Sequence, residues 1–191
     1  MTASSFAHGL GVRIGMNYGN ASTNPPLVVG SQAGLMIGGI AEIDLTSTLI
    51  LQGEAFYAEK KAEIDTIIPG VGKGEEDRKY KYIEFPVTLK VKFGRGESVP
   101  YLFAGPNLGI NISAKSVTKI NGQKTKTDLE EFTEEIDIAL DIGGGAEYPL
   151  VNKISLLFDI RYSIGLFDID KTSQSWRTNG VQIILGAVAR L

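Results

Sequence analysis

Cysteine is absent from the 191 residues. Disulfides, thiolate metal sites and cysteine nucleophiles are therefore excluded, although no compartment is named by this. Histidine is nearly absent too. His8 is the only one, so a Ser–His pair for hydrolysis lacks a base anywhere but the N-terminal tail. No apolar run reaches the roughly 20 residues of a membrane-spanning helix. A basic surplus is also missing: 19 Lys and Arg stand against 22 Asp and Glu, which leaves no electrostatic footprint for nucleic acid. Gly143-Gly144-Gly145 is followed by no Lys-Ser/Thr and no helix, so it is not a phosphate loop. Residues 1–8 lack the basic start and long apolar core of a signal peptide.

What the chain has is alternation. Ile136, Ile138, Leu140, Ile142, Gly144, Ala146 and Tyr148 share one face, and Asp137, Ala139, Asp141, Gly143, Gly145 and Glu147 the other. The next segment repeats the design, with Ile154, Leu156, Phe158, Ile160 and Tyr162 against Ser155, Leu157, Asp159, Arg161 and Ser163. Period-two patterning means strands. Eight are expected, over 9–18, 31–44, 49–60, 80–93, 100–113, 135–148, 153–166 and 179–191. Each is long enough to cross a bilayer at a tilt, which takes about 9–11 residues. The connections alternate: short after 44, 94 and 149, long and polar over 19–30, 61–79, 114–134 and 167–178. Short turns on one rim and long loops on the other mark membrane barrels. The expected fold is all-β, an eight-stranded antiparallel up-and-down transmembrane β-barrel. One domain spans 1–191, and 1–8 form a flexible tail.

A soluble lipocalin-like barrel carrying an apolar ligand would alternate as well, with its apolar face turned inward. The polar face favours the membrane barrel, with the soluble carrier as the alternative. Small residues with single charges, as in Gly11, Arg13, Gly15 and Asn17, suit the interior of a narrow barrel, where eight strands leave room only for side chains. Apolar residues then meet lipid, and the protein is expected in the bacterial outer membrane as a monomer. Because such a location demands export, the expected chain is a mature form with its signal removed and a start Met added. Rim-histidine deacylases and proteases are excluded with the histidine, and no enzyme activity, cofactor or metal is expected.

The lumen is expected to hold Arg13, Glu42, Glu54, Glu84, Lys90, Asp137, Asp141, Glu147, Asp159, Arg161 and Arg190. Buried charges persist only when paired. Arg13, Glu54, Glu84, Lys90, Asp141, Asp159 and Arg161 are the candidate site, read as a structural network filling the barrel; the other reading is an ion path. A tight 149–152 turn with Tyr148 facing Ile154 would set Asp141 opposite Arg161. Tyr18, Tyr57, Tyr80, Tyr82, Tyr101, Tyr148, Tyr162 and Trp176 fall near strand ends and are expected to form interfacial girdles. Lys60-Lys61 and Glu75-Glu76-Asp77 read as solvated loop tips, where a protein partner of unknown identity could dock; the Asp168-Ile169-Asp170 pair could touch a cation from its loop, but two carboxylates alone make a weak site.

Five segments carry a family likeness. Tyr82-Ile83-Glu84-Phe85-Pro86-Val87, Pro100-Tyr101 through Gly105-Pro106, Leu51-Gln52-Gly53-Glu54 through Tyr57, Gly9 to Gly15, and Gly143 to Tyr148 together resemble the PorT-like outer-membrane β-barrel family, common in Bacteroidetes. The resemblance implies a small outer-membrane barrel, in some members linked to secretion and gliding, and it carries over no catalytic residue. Many outer-membrane barrels end in Phe or Trp; this chain ends Ala189-Arg190-Leu191. Pro86 falls mid-strand, where a bulge and a lost ladder bond are expected.

Overall fold

A computed structural model describes residues 8–24, 29–68, 72–94, 96–120, 123–150, 153–171 and 175–191. The strands are β1 (His8–Asn24), β2 (Val29–Asp44), β3 (Leu49–Ile68), β4 (Gly72–Lys92), β5 (Val99–Ile120), β6 (Gln123–Asp128), β7 (Ile136–Pro149), β8 (Ile154–Gly165) and β9 (Ser175–Arg190). A single 3-10 turn at Glu130–Phe132 is the helical structure among the described residues. β1 to β5 pair antiparallel in sequence order, β5 pairs with β7, β7 with β8 and β8 with β9, and β9 closes the ring on β1 from Gly9↔Arg190 to Asn24↔Ser175. Eight strands thus form a closed barrel with no free edge, and β6 is a short addition paired to β5 alone.

The short connections after β2, β4 and β7 lie at the end holding the start of β1 and the end of β9. At the opposite end β3, β4 and β5 project farther, being 20, 21 and 22 residues long in all, about twice what a bilayer needs. Residues 61–79, expected as a loop, are mostly strand. His8, expected in the tail, pairs with Ile43; the rest of the expected tail lies outside the described residues.

Polarity inverts along these strands. Within the lower part Leu51, Phe85, Val87, Leu89, Leu102 and Leu108 point outward and are exposed, while Glu54, Glu84 and Asn107 point in. Farther up, Glu59, Lys61, Asp77 and Lys79 take the outward positions, and Ala62, Ile64, Tyr80 and Ala114 are buried inside. A lipid-facing exterior over a polar lumen therefore gives way to a water-facing exterior over an apolar core. The switch lies one residue pair above Tyr57↔Ile83. On β5 the parity itself changes: Tyr82 faces Asn111 but Lys81 faces Ser113. One extra residue at that level, a bulge, carries Asn107 and Ala114 both inward.

Pro86 behaves differently from the expectation. Gly53↔Val87 and Phe56↔Glu84 keep one register on either side of it, so no residue is inserted. The pairs between them drop out of the β3–β4 ladder, as a residue without an N–H requires. Close packing sets the glycines. A Cβ on Gly105 would lie 2.0 Å from the Val87 carbonyl oxygen, and one on Gly38 2.1 Å from that of Ala55. The strands coil this tightly because those positions carry no side chain.

Candidate functional site: the charged lumen

The lumen is built in layers from the inward parity of each strand. At the short-turn rim, Lys90 lies 2.7 Å from Glu42, Arg190 2.8 Å from Glu42 and 3.1 Å from Glu147, and Lys92 2.6 Å from Glu147. The Lys90 ammonium also sits 3.9 Å from the Tyr101 ring centroid, a cation–π contact.

At mid-depth Arg13 on β1 pairs with both Glu54 on β3 and Asp159 on β8, and the Tyr101 hydroxyl donates to Asp159. Arg161 on β8 reaches Glu54 at 2.6 Å and Asp141 at 3.2 Å. In a ring of eight, β3 and β8 are four strands apart in either direction. The Glu54–Arg161 pair therefore spans the diameter of the barrel. Gln52 donates to Glu54 at 2.8 Å, and the Asn107 amide donates to Asp141 at 3.2 Å and Glu84 at 3.4 Å. Arg13, Arg161, Glu54, Glu84, Asp141 and Asp159 are all buried.

Above them Lys60 lies 2.9 Å from Glu84 and 3.1 Å from Asp137, whose carboxylate also accepts from the Thr178 hydroxyl at 2.6 Å. Lys60 was expected at a solvated tip. It is buried because the even-numbered face of β3 continues inward from Gln52 and Glu54 through Lys60 to Ile64. A cap closes the upper end: Ala62, Ile64, Tyr80, Tyr82, Ala114, Ile169 and Trp176 form one buried cluster. The Arg78 guanidinium lies 4.6 Å from the Trp176 ring centroid.

The seven candidate residues all lie in the lumen, and Arg13, Glu54, Asp141, Asp159 and Arg161 touch one another in one group. Lys90 belongs to the lower layer, and Glu84 joins the centre through Asn107. Asp141 does not face Arg161 across the ladder as expected. The pairs are Asp141↔Ser163 and Gly143↔Arg161, with Tyr148 opposite Leu156. The β7–β8 connection is longer than a tight turn by two residues in register: Leu150 N donates to Ile154 O at 2.9 Å. Lys153, next to the start of β8, sits at φ 71°, in the left-handed region. The ion pair forms on the diagonal, within reach of a long side chain.

The expected girdle is half right. Tyr18, Tyr148 and Tyr162 are exposed on the outer face and Tyr57 is partly so. Tyr80, Tyr82, Tyr101 and Trp176 instead face inward and are buried, since their parity is that of the lumen. Ile169 is buried in the cap and the Asp168 carboxylate accepts from Trp176 N at 2.8 Å and Asp170 N at 3.0 Å. This segment is part of the structure that holds the cap.

Outside the lumen, Glu63, Glu75 and Asp77 bring carboxylate oxygens within 4.8 Å of one another. Their region is strand, and cationic and amide donors already occupy it. Lys119 lies 2.7 Å from Glu75 and 2.9 Å from Asp77, and Gln32 donates to Glu63 at 2.8 Å and Asp77 at 2.9 Å. Partial burial works to raise the Asp77 pKa, but the hydrogen bonds from Lys119 and Gln32 prevail and hold it below the usual carboxylate value.

Comparison with known proteins agrees with this architecture. No curated protein sequence matches the chain significantly. Among solved structures, Neisserial surface protein A is similar over 100% of both chains at 14% identity, with a TM-score of 0.56. OprG from Pseudomonas aeruginosa is similar over 97% of this chain and 95% of its own at 11% identity, with a TM-score of 0.50. At these identities the likeness is one of fold. The family described as outer membrane protein beta-barrel domain matches residues 5–171. The protein is therefore an outer-membrane β-barrel, not a soluble carrier, and the chain belongs to the outer membrane protein beta-barrel domain family.

Proposed function

We propose that this barrel is a non-catalytic, non-conducting outer-membrane scaffold that works through its projecting hairpins, where a protein partner docks. The observation that carries the reading is the Glu54–Arg161 pair across the full diameter, flanked by Arg13–Asp159 and Arg161–Asp141 and covered by the Trp176 cap. An ion crossing the lumen would have to separate buried charges that hold one another, where a broken pair costs several kcal/mol. The length of β3, β4 and β5 beyond the bilayer supplies a rigid, water-facing platform. A finer kinship to PorT-like barrels, with a role in secretion or adhesion, rests on the Tyr82–Val87 and Pro100–Pro106 motifs. Planar-bilayer recording of the refolded monomer tests the reading. No steady single-channel current is expected. Steady, ion-selective conductance would replace the scaffold with a small-solute pore.

A further inference from the structure

The outer surface of the projecting hairpins carries a second arrangement, independent of the lumen. Lys61, Lys79 and Lys115 are direct cross-strand partners on β3, β4 and β5. All three point outward, because Lys60, Ala62, Tyr80, Ala114 and Ser116 on the same strands are buried. Neighbouring strands lie about 4.8 Å apart, so three ammonium groups line up over roughly 10 Å. Like charges directly opposite destabilise a sheet. Glu59 offsets this row, at 2.6 Å from Lys79 and 3.3 Å from Lys61, and Asp128 on β6 is the cross-strand partner of Lys115. Lys115 has no ion pair among the described residues.

The row opens into a groove of about 660 Å3 whose lining comes from five adjacent strands, β2 to β6. Lys126 adds a fourth ammonium group, against Asp77 and Asp128. Asp77 is already engaged by Lys119 and Gln32. The groove therefore has an unmet demand for anionic oxygen.

Its height narrows the choice of ligand. Four residues down the same strands, the outward row becomes Tyr57 and Ile83, followed by Phe85 and Leu108. Four residues are about 13 Å along a strand, or roughly 9 Å along the membrane normal at a 45° tilt. That places the lysines at the outer side of the headgroup layer, directly above acyl chains. We propose that the Lys61–Lys79–Lys115 row binds the phosphate groups of an anionic outer-leaflet lipid whose acyl chains lie on the Ile83–Phe85 surface below it.

Native mass spectrometry of the protein released from phosphatidylcholine nanodiscs doped with bisphosphorylated lipid A reads this directly. Wild type should retain lipid A, and K61Q/K79Q/K115Q should bind it roughly 100-fold more weakly, at about fivefold per lysine near an anionic surface. The triple Arg variant should bind like wild type. Fully dephosphorylated lipid A should not be retained. Inorganic phosphate at millimolar concentration should not displace the lipid. Heat-modifiable migration on a gel checks that each variant is folded. If the triple Gln variant does not fold, K115Q alone should lose about fivefold. Unchanged retention in a folded Gln variant would overturn the proposal. Retention of the dephosphorylated form would do the same, and displacement by inorganic phosphate would show a soluble-anion site instead.

Discussion

Arg161 and Glu54 are shut away from bulk solvent. Each is fully buried, and each satisfies its partner from the far wall of the barrel. Replacing Arg161 with Ala should leave Glu54 and Asp141 unpaired and cost about 3–5 kcal/mol, measured by urea titration of the refolded protein in detergent. Asp141 is held at 3.2 Å and Glu54 at 2.6 Å. Double-mutant cycles should give a coupling of roughly 0.5–3 kcal/mol for each acid with Arg161, the larger for Glu54. Additive losses would show that the pairs do not interact. Asp137 is judged by the same logic. It lies buried under the cap between Lys60 and Thr178. Asp137→Asn should therefore destabilise the barrel measurably in the same titration; a neutral result would contradict the Lys60 contact.

The two environments can be told apart by one arginine placed in each. On β4 the lipid-facing positions run Ile83, Phe85, Val87, Leu89, Val91, so Val87 lies near the middle of the apolar band. Val87→Arg should cost about 2–4 kcal/mol, as charge at a bilayer midplane does. Thr125→Arg, on the exposed β6, should stay within about 0.5 kcal/mol of wild type. Equal costs would mean that the apolar band does not face lipid. Acid should also separate the two regions. Asp77 and Glu59 are held below their usual carboxylate values; for both, burial opposes the shift and hydrogen bonds from lysine and other donors outweigh it. Groups with depressed pKa values stabilise above their unfolded pKa, near 4, and lose that contribution as pH falls through the folded value. Below about pH 4, amide exchange should rise first in residues 59–64 and 75–81, while the transmembrane part of the same strands stays protected. Uniform exchange would sink the idea that these ion pairs hold the projection.

Strand existence and barrel closure were legible because period two survives any environment. What the alternation could not reveal was where its meaning changes. Lys61, Glu63, Glu75 and Asp77 looked like loop residues because charge on an outward face was read against a lipid exterior; above the membrane the same face meets water. Lys60 and Tyr80 were misplaced for that reason, although their parity matched Glu54 on β3 and Glu84 on β4. The Asp141–Arg161 register failed on a single left-handed residue, Lys153, that no pattern announces.

For the whole molecule, the continuous apolar exterior from Val12 and Ile14 round to Leu185 far exceeds the few hundred Å2 that a soluble monomer leaves exposed. Folding should require detergent or lipid, and a monodisperse folded monomer in plain buffer would contradict the membrane assignment. The central claim is that a lipid-facing wall encloses a filled lumen. The absence of cysteine allows it to be tested without background, by spin-labelling single cysteines along β8 in lipid bilayers. Oxygen should reach labels at 156, 158 and 160, where Leu156, Phe158 and Ile160 are exposed. Neither oxygen nor a water-soluble nickel chelate should reach labels at 157 and 163, where Leu157 and Ser163 are buried. Nickel access at 157 and 163 would mean an open, water-filled barrel, and oxygen access there in place of the even positions would mean that the wall faces the other way.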